Sequence, residues 1–282
     1  MVSTAGILKT PSPALPRCTG RGGRIAPPAA VAYDRPMPPA ALPPHPDLPQ
    51  YANDAGRKRQ YLRDLFDATA PDYDRVERAM ALGSGRWYRR QALQRAGLAS
   101  GMRVCDVAIG TGLVAREALR LIGPGGALVG VDPSAGMLEQ ARKALGIDAV
   151  LGAAEQLPLA DASFDFLSMG YALRHVSDLH ASFAEFARVL RPGGRVCVLE
   201  IVRPVGRVRR TLLGAYFRTV VPVISHLVGR QGQTPALWRY YWDTIDQCVP
   251  GETVVDALRA GGFANVERRV ELGMFAEYTG TR

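Results

Sequence analysis

The chain has 282 residues, 47% hydrophobic and 22% charged, with a formal charge of +9 and a mean hydropathy of −0.03. That is globular composition, and no apolar run reaches the ~18 residues a membrane span needs, so a transmembrane protein is excluded. Cys18, Cys105, Cys197 and Cys248 lie far apart with no Cys-x-x-Cys, which excludes a zinc ribbon and a disulfide scaffold and fits a reducing, cytoplasmic setting.

Twelve of the 21 prolines fall in residues 1–50, in pairs such as Pro27-Pro28 and Pro43-Pro44. Such a stretch propagates neither helix nor sheet and has little to bury. Residues 1–50 are therefore expected to be a disordered tail, followed by one folded domain over 51–282. No 7–15-residue apolar block follows the start, so signal-peptide grammar is absent. The tail contains arginine and few acids, as transit peptides do, but its prolines and glycines spoil an amphipathic helix. Translation beginning at Met37 is an alternative reading of the same stretch.

From about Tyr51 the pattern turns helical, with Tyr61, Leu62, Leu65 and Phe66 at helical spacing. A second helix is expected near Trp87–Ala96. Strands and helices then alternate. Val104–Ala108 reads as a strand and Leu113–Ile122 as a helix. Ala127–Val131 is a strand, and Pro133–Leu145 a helix with proline in its first turn. Ala149–Gly152 and Phe164–Leu173 are strands. Asp178–Leu190 is a helix, Arg191-Pro-Gly-Gly194 a turn and Arg195–Val202 a strand. A helix over Glu252–Ala260 and strands over Val266–Glu271 and Met274–Thr279 close the chain. The alternation predicts a Rossmann-like, seven-stranded, mainly parallel sheet with helices on both faces. The last two strands are joined too tightly for a parallel crossover, so they form an antiparallel edge.

The basic excess is local. Residues 1–50 carry a net +3, and 201–242 hold seven arginines and no acid, leaving the remainder near neutral. A nucleic-acid binder spreads basic groups over a recognition surface, so no nucleic-acid partner is expected.

In open α/β sheets, ligands bind beyond the carboxyl ends of the strands. The first such end reads Val104-Cys-Asp-Val-Ala-Ile-Gly-Thr-Gly112. Gly110 and Gly112 allow a tight turn and close approach to a ligand. Asp132 ends the next strand, 20 residues past Gly112, where a carboxylate can accept from both ribose hydroxyls or cap the following helix. Gly110-x-Gly112-x-x-Ala115 plus Asp132 also satisfies the dinucleotide fingerprint. Asp106 helps to separate the readings: an acid just before the glycines repels a pyrophosphate and favours a cationic ligand such as S-adenosylmethionine. A loop acid that binds backbone N–H groups is the plainer account of Asp106.

Residues 66–202 resemble class I S-adenosylmethionine-dependent methyltransferases, and among them the ubiquinone/menaquinone-biosynthesis C-methyltransferases. The matching pieces are Phe66-Asp-Ala-Thr-Ala-Pro-Asp-Tyr73-Asp, Asp106-Val-Ala-Ile-Gly-Thr-Gly112 and Val131-Asp-Pro-Ser-Ala-Gly-Met137-Leu. Further matches are Ala154-Glu-Gln-Leu-Pro158, Leu173-Arg174, Val189-Leu-Arg-Pro-Gly-Gly194 and Leu199-Glu200. The resemblance implies S-adenosyl-L-methionine as cofactor and no metal. Thr111 and the backbone of Gly110 and Gly112 would line its methionine part, and Asp132 would hold the ribose. Ala153 and Ala154, with Glu155 beside them, would lie by the adenine, and Gly170 would close the pocket beneath. Met137 either packs on the adenine or is a core methionine. The resemblance also points to Arg174 and Tyr73 as catalytic, through stabilisation of an acceptor phenolate, since a guanidinium is no base at pH 7.

The chain departs from the family at His175, where the family has Asn; an imidazole there is a candidate base. Segment 203–248 is the expected acceptor-binding lid. Its apolar run over 212–228 exceeds what one helix face needs, and flanking arginines suit an apolar or aromatic small molecule or contact between 203–230 and an anionic bilayer. A helix packed on the sheet edge with its arginines in water is the plainer account. His226 is expected to be partly buried. Leu237-Trp-Arg-Tyr-Tyr-Trp-Asp243 also departs from the family. The expected activity is methyl transfer to an apolar or aromatic small molecule, with carbon methylation of a prenylated quinol as the specific form. O- or N-methylation of another metabolite, a nicotinamide-dependent oxidoreductase and a non-catalytic ligand-binding relative are the rivals.

Overall fold

In the computed structural model, which describes residues 40–51, 55–81, 84–228 and 234–282, seven strands form one sheet. They are β1 (Arg103–Val107), β2 (Ala127–Asp132), β3 (Asp148–Leu151), β4 (Phe164–Gly170), β5 (Leu190–Ile201), β6 (Ala264–Glu271) and β7 (Phe275–Thr281). Their order across the sheet is β3-β2-β1-β4-β5-β7-β6. The first five pair in parallel, and β7 runs antiparallel between β5 and β6. This is the expected Rossmann-like sheet. Strand order reverses between β1 and β4, which opens a crevice beyond their carboxyl ends.

Helices cover both faces. On one lie α2 (Ser84–Arg95), α3 (Leu113–Ile122) and α4 (Ala135–Leu145). On the other lie α5 (Leu179–Val189) and α9 (Gly251–Ala260). The central strands are buried on both sides, so successive residues such as Val104-Cys105 and Phe166-Leu167 are apolar instead of alternating with polar ones. Pro133 is not in the first turn of α4. Ser134 is the cap, its hydroxyl accepting from Met137 N at 3.1 Å, and the proline stands just ahead of it.

A third apolar core joins α1 (Ala55–Ala81) to the segment after β5. That segment contains α6 (Arg207–Ala215), a π-turn (Tyr216–Val220), α7 (Val221–Val228) and α8 (Thr234–Gln247). Gly214, Phe217, Val221 and Ser225 form its buried face. Gly214 is needed there, because a Cβ would lie 2.8 Å from the Trp242 ring. His226 is exposed rather than partly buried, because it falls on the opposite face.

Three expected boundaries move. β4 stops at Gly170 rather than Leu173, and Leu173–His175 form a 3-10 turn that carries Arg174 and His175. Residues 191–194 belong to β5 as an irregularity in its pairing with β4, not a separating turn. The tail boundary at residue 50 is too late. Leu42 N donates to Asp178 Oδ1 at 3.0 Å, Leu179 N to Leu42 O at 2.9 Å and Val249 N to Pro44 O at 2.8 Å. Prolines forbid a helix over 40–50, but their free carbonyls and the N–H of Leu42 can still bind a neighbour. Residues 1–39 of the expected tail lie outside the described residues.

Candidate active site

The loop after β1 turns three times through the left-handed region, at Ala108 (φ 52°), Gly110 (φ 56°) and Gly112 (φ 88°). It is fastened to β2: Ile109 N donates to Val131 O at 3.0 Å and Gly110 N to Asp132 Oδ2 at 2.8 Å. Gly110 lines a cleft, and a Cβ on it would meet nothing within 4 Å, so bare backbone faces the cavity. Gly112 does not line it. A Cβ there would lie 2.5 Å from Leu145 Cδ1, so this glycine serves helix packing.

Two buried acids stand at the strand ends. Asp106 accepts from Ser168 Oγ at 2.6 Å through Oδ1, while Oδ2 is buried with no partner among the described residues. Burial pushes the Asp106 carboxyl up to about 7 and that of Asp132 up to about 6. Asp132 accepts from Gly110 N and, through Oδ1, from Ser134 N at 2.9 Å. Its role is therefore to fix the glycine loop, and Ser134 does the capping that was open to Asp132.

Met137, Ala153, Ala154 and Glu155 line the cleft. Met137 is both core and lining, being 2% exposed. Gly152 N donates to Asp132 O at 3.1 Å, which sets this loop against β2, and the Glu155 carboxylate accepts from Ser177 N. Gly170 forms the floor; a Cβ would lie 2.4 Å from Val114 Cγ2. Thr111 also lines the cleft, with its hydroxyl donated to Asp74.

Aromatic rings line the cleft as well. Tyr73 stacks on Trp238 at 5.9 Å, and its hydroxyl lies 3.0 Å from that of Tyr241. His175 stacks on Tyr241 at 5.4 Å and meets the edge of Phe66 at 5.3 Å. Tyr73, Phe66, His175 and Tyr241 all line the cleft, whose cavity measures about 210 Å³. His175 Nδ1 is 3.2 Å from Tyr240 Oη, and Nε2 has no partner among the described residues. Burial first, and then the charge of Arg174, hold this imidazole well below its usual pKa, so it is neutral at pH 7.

Arg174 is the residue that the geometry moves. It is 1% exposed and does not line the cleft. Its guanidinium pairs with Glu200, donates to Tyr171 O at 2.8 Å and lies 4.3 Å from the Tyr241 ring centre. The ring of Tyr241 stands on the cleft side, so Arg174 acts on the cavity through its neighbours. Sequence reasoning gave no role to Asp67 or Asp74. Asp67 accepts from Ser134 Oγ and from Gly136 N at 2.8 Å, tying α1 to the start of α4. Both lie in the stretch Phe66-Asp-Ala-Thr-Ala-Pro-Asp-Tyr73-Asp, which was the available signal.

Residues 54–282 match the profile of the ubiE/COQ5 methyltransferase family. A ubiquinone/menaquinone biosynthesis C-methyltransferase UbiE of Geobacter sulfurreducens is 35% identical, over 80% of this chain and 90% of that protein. A demethylmenaquinone methyltransferase of Symbiobacterium thermophilum is 31% identical, over 87% of this chain and 98% of that protein. Among solved structures, a SAM-dependent methyltransferase from Thermotoga maritima superposes with a TM-score of 0.56 at 23% identity, covering 77% of this chain and 98% of that one.

Proposed function

The chain belongs to the ubiE/COQ5 methyltransferase family, and from that premise we propose that its S-adenosylmethionine-dependent methyl transfer is directed to a ring carbon of an apolar quinol. The observation that carries this reading is the mixed lining of the cleft: a glycine loop and the unpartnered carboxylate oxygen of Asp106, together with the rings of Phe66, Tyr73, His175 and Tyr241. The first set fits the donor. Asp106 Oδ2 is an unsatisfied buried acceptor suited to the ammonium of the methionine moiety, and Asp132 retains lone pairs for ribose hydroxyls. Ala153, Ala154 and Met137 offer a flat apolar wall for the adenine.

When bound, S-adenosylmethionine supplies an electrophilic methyl group on a sulfonium. The chain's task is alignment and exclusion of water, a contribution worth roughly 7–11 kcal/mol when complete. Phe66, Tyr73 and Tyr241 hold the acceptor ring flat. His175 stays neutral and presents Nε2 as an acceptor for a ring hydroxyl. Each unit by which its pKa falls below that of the phenol costs about 1.4 kcal/mol for full proton transfer, so its role is polarisation and orientation. Arg174 is a positioning residue, because it holds the Tyr241 face and raises the local positive potential behind it. Incubation with labelled donor and a short-chain demethylmenaquinol tests the acceptor. Mass analysis should find one added methyl on carbon; label confined to oxygen overturns the quinol-carbon reading.

Donor binding should depend on pH. A cationic ligand favours ionised Asp106, whose carboxyl in the free protein titrates at about 7. Affinity for S-adenosylhomocysteine is expected to level off above about pH 8 and to weaken by up to about tenfold per unit below 6.5. Calorimetry in two buffers of different ionisation enthalpy should register proton release near pH 6.5. A flat profile from 5.5 to 8.5 contradicts the assignment of Asp106.

Contact with an anionic bilayer through 203–230 is supported by a stripe on α6 and α7. Val208, Leu212, Val220, Val223 and Leu227 are all exposed, Leu227 at 77%. Their separations of four, eight, three and four residues keep them on one side of the helical run, as in a single apolar stripe. Arg207 and Arg209 form no ion pair among the described residues, and Arg209 reaches the β6–β7 turn, where Leu272 is exposed. Among the described residues no helix is long and apolar enough to cross a membrane. Each arginine near an anionic surface contributes about 1 kcal/mol. Sedimentation with phosphatidylcholine vesicles should be weak, and added phosphatidylglycerol should raise it in a salt-sensitive way. The pair Leu212→Asp and Val223→Asp should abolish it while leaving donor affinity unchanged. Equal sedimentation of that variant counts against the surface.

A further inference from the structure

We propose that Arg89 is the residue that binds the α-carboxylate of the donor's methionine moiety. The inference rests on the donor-site reading above and extends it to the ligand's carboxylate. Arg89 lies on α2, outside the stretches that carry the family motifs. It lines the cleft yet is only 3% exposed. One side of its guanidinium pairs with Glu77 through Nη2. Nε and Nη1 have no partner among the described residues. The guanidinium carbon lies 5.6 Å from the centre of the Tyr171 ring, itself a cleft residue held at φ 60°.

Two unmade hydrogen bonds on one buried cation are costly, and native structures rarely leave them so without a use. Strained backbone at a bulky residue beside them marks the same spot. The donor ends in an amino acid, so its recognition needs an acceptor for the ammonium and a donor set for the carboxylate. Among the described cleft residues the buried polar atoms without a partner are Asp106 Oδ2, His175 Nε2 and the free edge of Arg89, and of these only Arg89 is a cationic donor. The other cleft arginines, Arg59 and Arg63, lie on α1 and are exposed, so water already satisfies them. A planar guanidinium is also suited to a carboxylate, which it can grip with two parallel bonds.

The test is calorimetry with S-adenosylhomocysteine and with its decarboxylated analogue, 5′-deoxy-5′-(3-aminopropylthio)adenosine. Wild-type protein should bind the first about 10- to 100-fold more tightly than the second, the range for hydrogen bonds to a charged group. Arg89→Gln should erase that preference by weakening S-adenosylhomocysteine alone. Arg89→Lys, which keeps the charge but not the fork, should fall between. Equal losses for both ligands would make Arg89 a structural residue and overturn the proposal. So would unchanged donor affinity with a raised KM for the quinol, which would move Arg89 to the acceptor. The wild-type preference needs no variant, so its absence overturns the proposal even if Arg89→Gln misfolds. Failure of wild-type protein to bind either ligand would instead refute the donor site as a whole.

Discussion

Arg174→Met should destabilise the protein by about 3–5 kcal/mol, the usual cost of stranding one partner of a buried ion pair. Arg174 and Glu200 are each 1% exposed, and Glu200 also accepts from the backbone N–H of Arg174 at 3.2 Å. Removing the guanidinium leaves a carboxylate under the sheet with no cation. The second variant decides the cause. Arg174→Met combined with Glu200→Leu should recover much of the loss, because replacing both charges by apolar groups is often nearly neutral. Urea unfolding of the three proteins reads this directly. If Arg174→Met alone costs under about 1 kcal/mol, the pair does not hold the turn that carries His175.

Asp132→Ala should weaken S-adenosylhomocysteine binding by at least about 100-fold. The side chain accepts from Gly110 N and Ser134 N, so its loss frees the glycine loop from β2 and removes the expected ribose contact together. Two hydrogen bonds to a charged group, each worth about 1.5–3 kcal/mol, justify that size. Asp132→Asn retains one acceptor oxygen and should lose less. Titration calorimetry measures both, with thermal unfolding as the control for folding. A loss below about fivefold for Asp132→Ala would mean that neither the loop nor the ribose depends on it.

Parts of this site were legible without coordinates because they are local. Gly110 must expose backbone, and Asp106 and Asp132 must end strands. Such demands act within a few residues or along one strand, and they restrict residue type at a readable spacing. Arg174 was legible as a residue but not as a location. Nothing in Leu173-Arg-His-Val176 says that Glu200, 26 positions on, will hold it behind Tyr241. The tail boundary failed for a related reason, since prolines exclude a helix over 40–50 but do not prevent backbone bonds to Asp178 and Val249.

The amino-acid sequence alone determined the sheet and its crevice, because alternation, glycine and strand-end acids are short-range constraints; the sulfur nucleoside came from the family resemblance, since the same spacing also fits a dinucleotide. Only the tertiary structure decided which charges are left unpaired in the cleft and that Arg89 joins it from α2. Those properties depend on distances between segments remote along the chain, which composition and spacing do not encode.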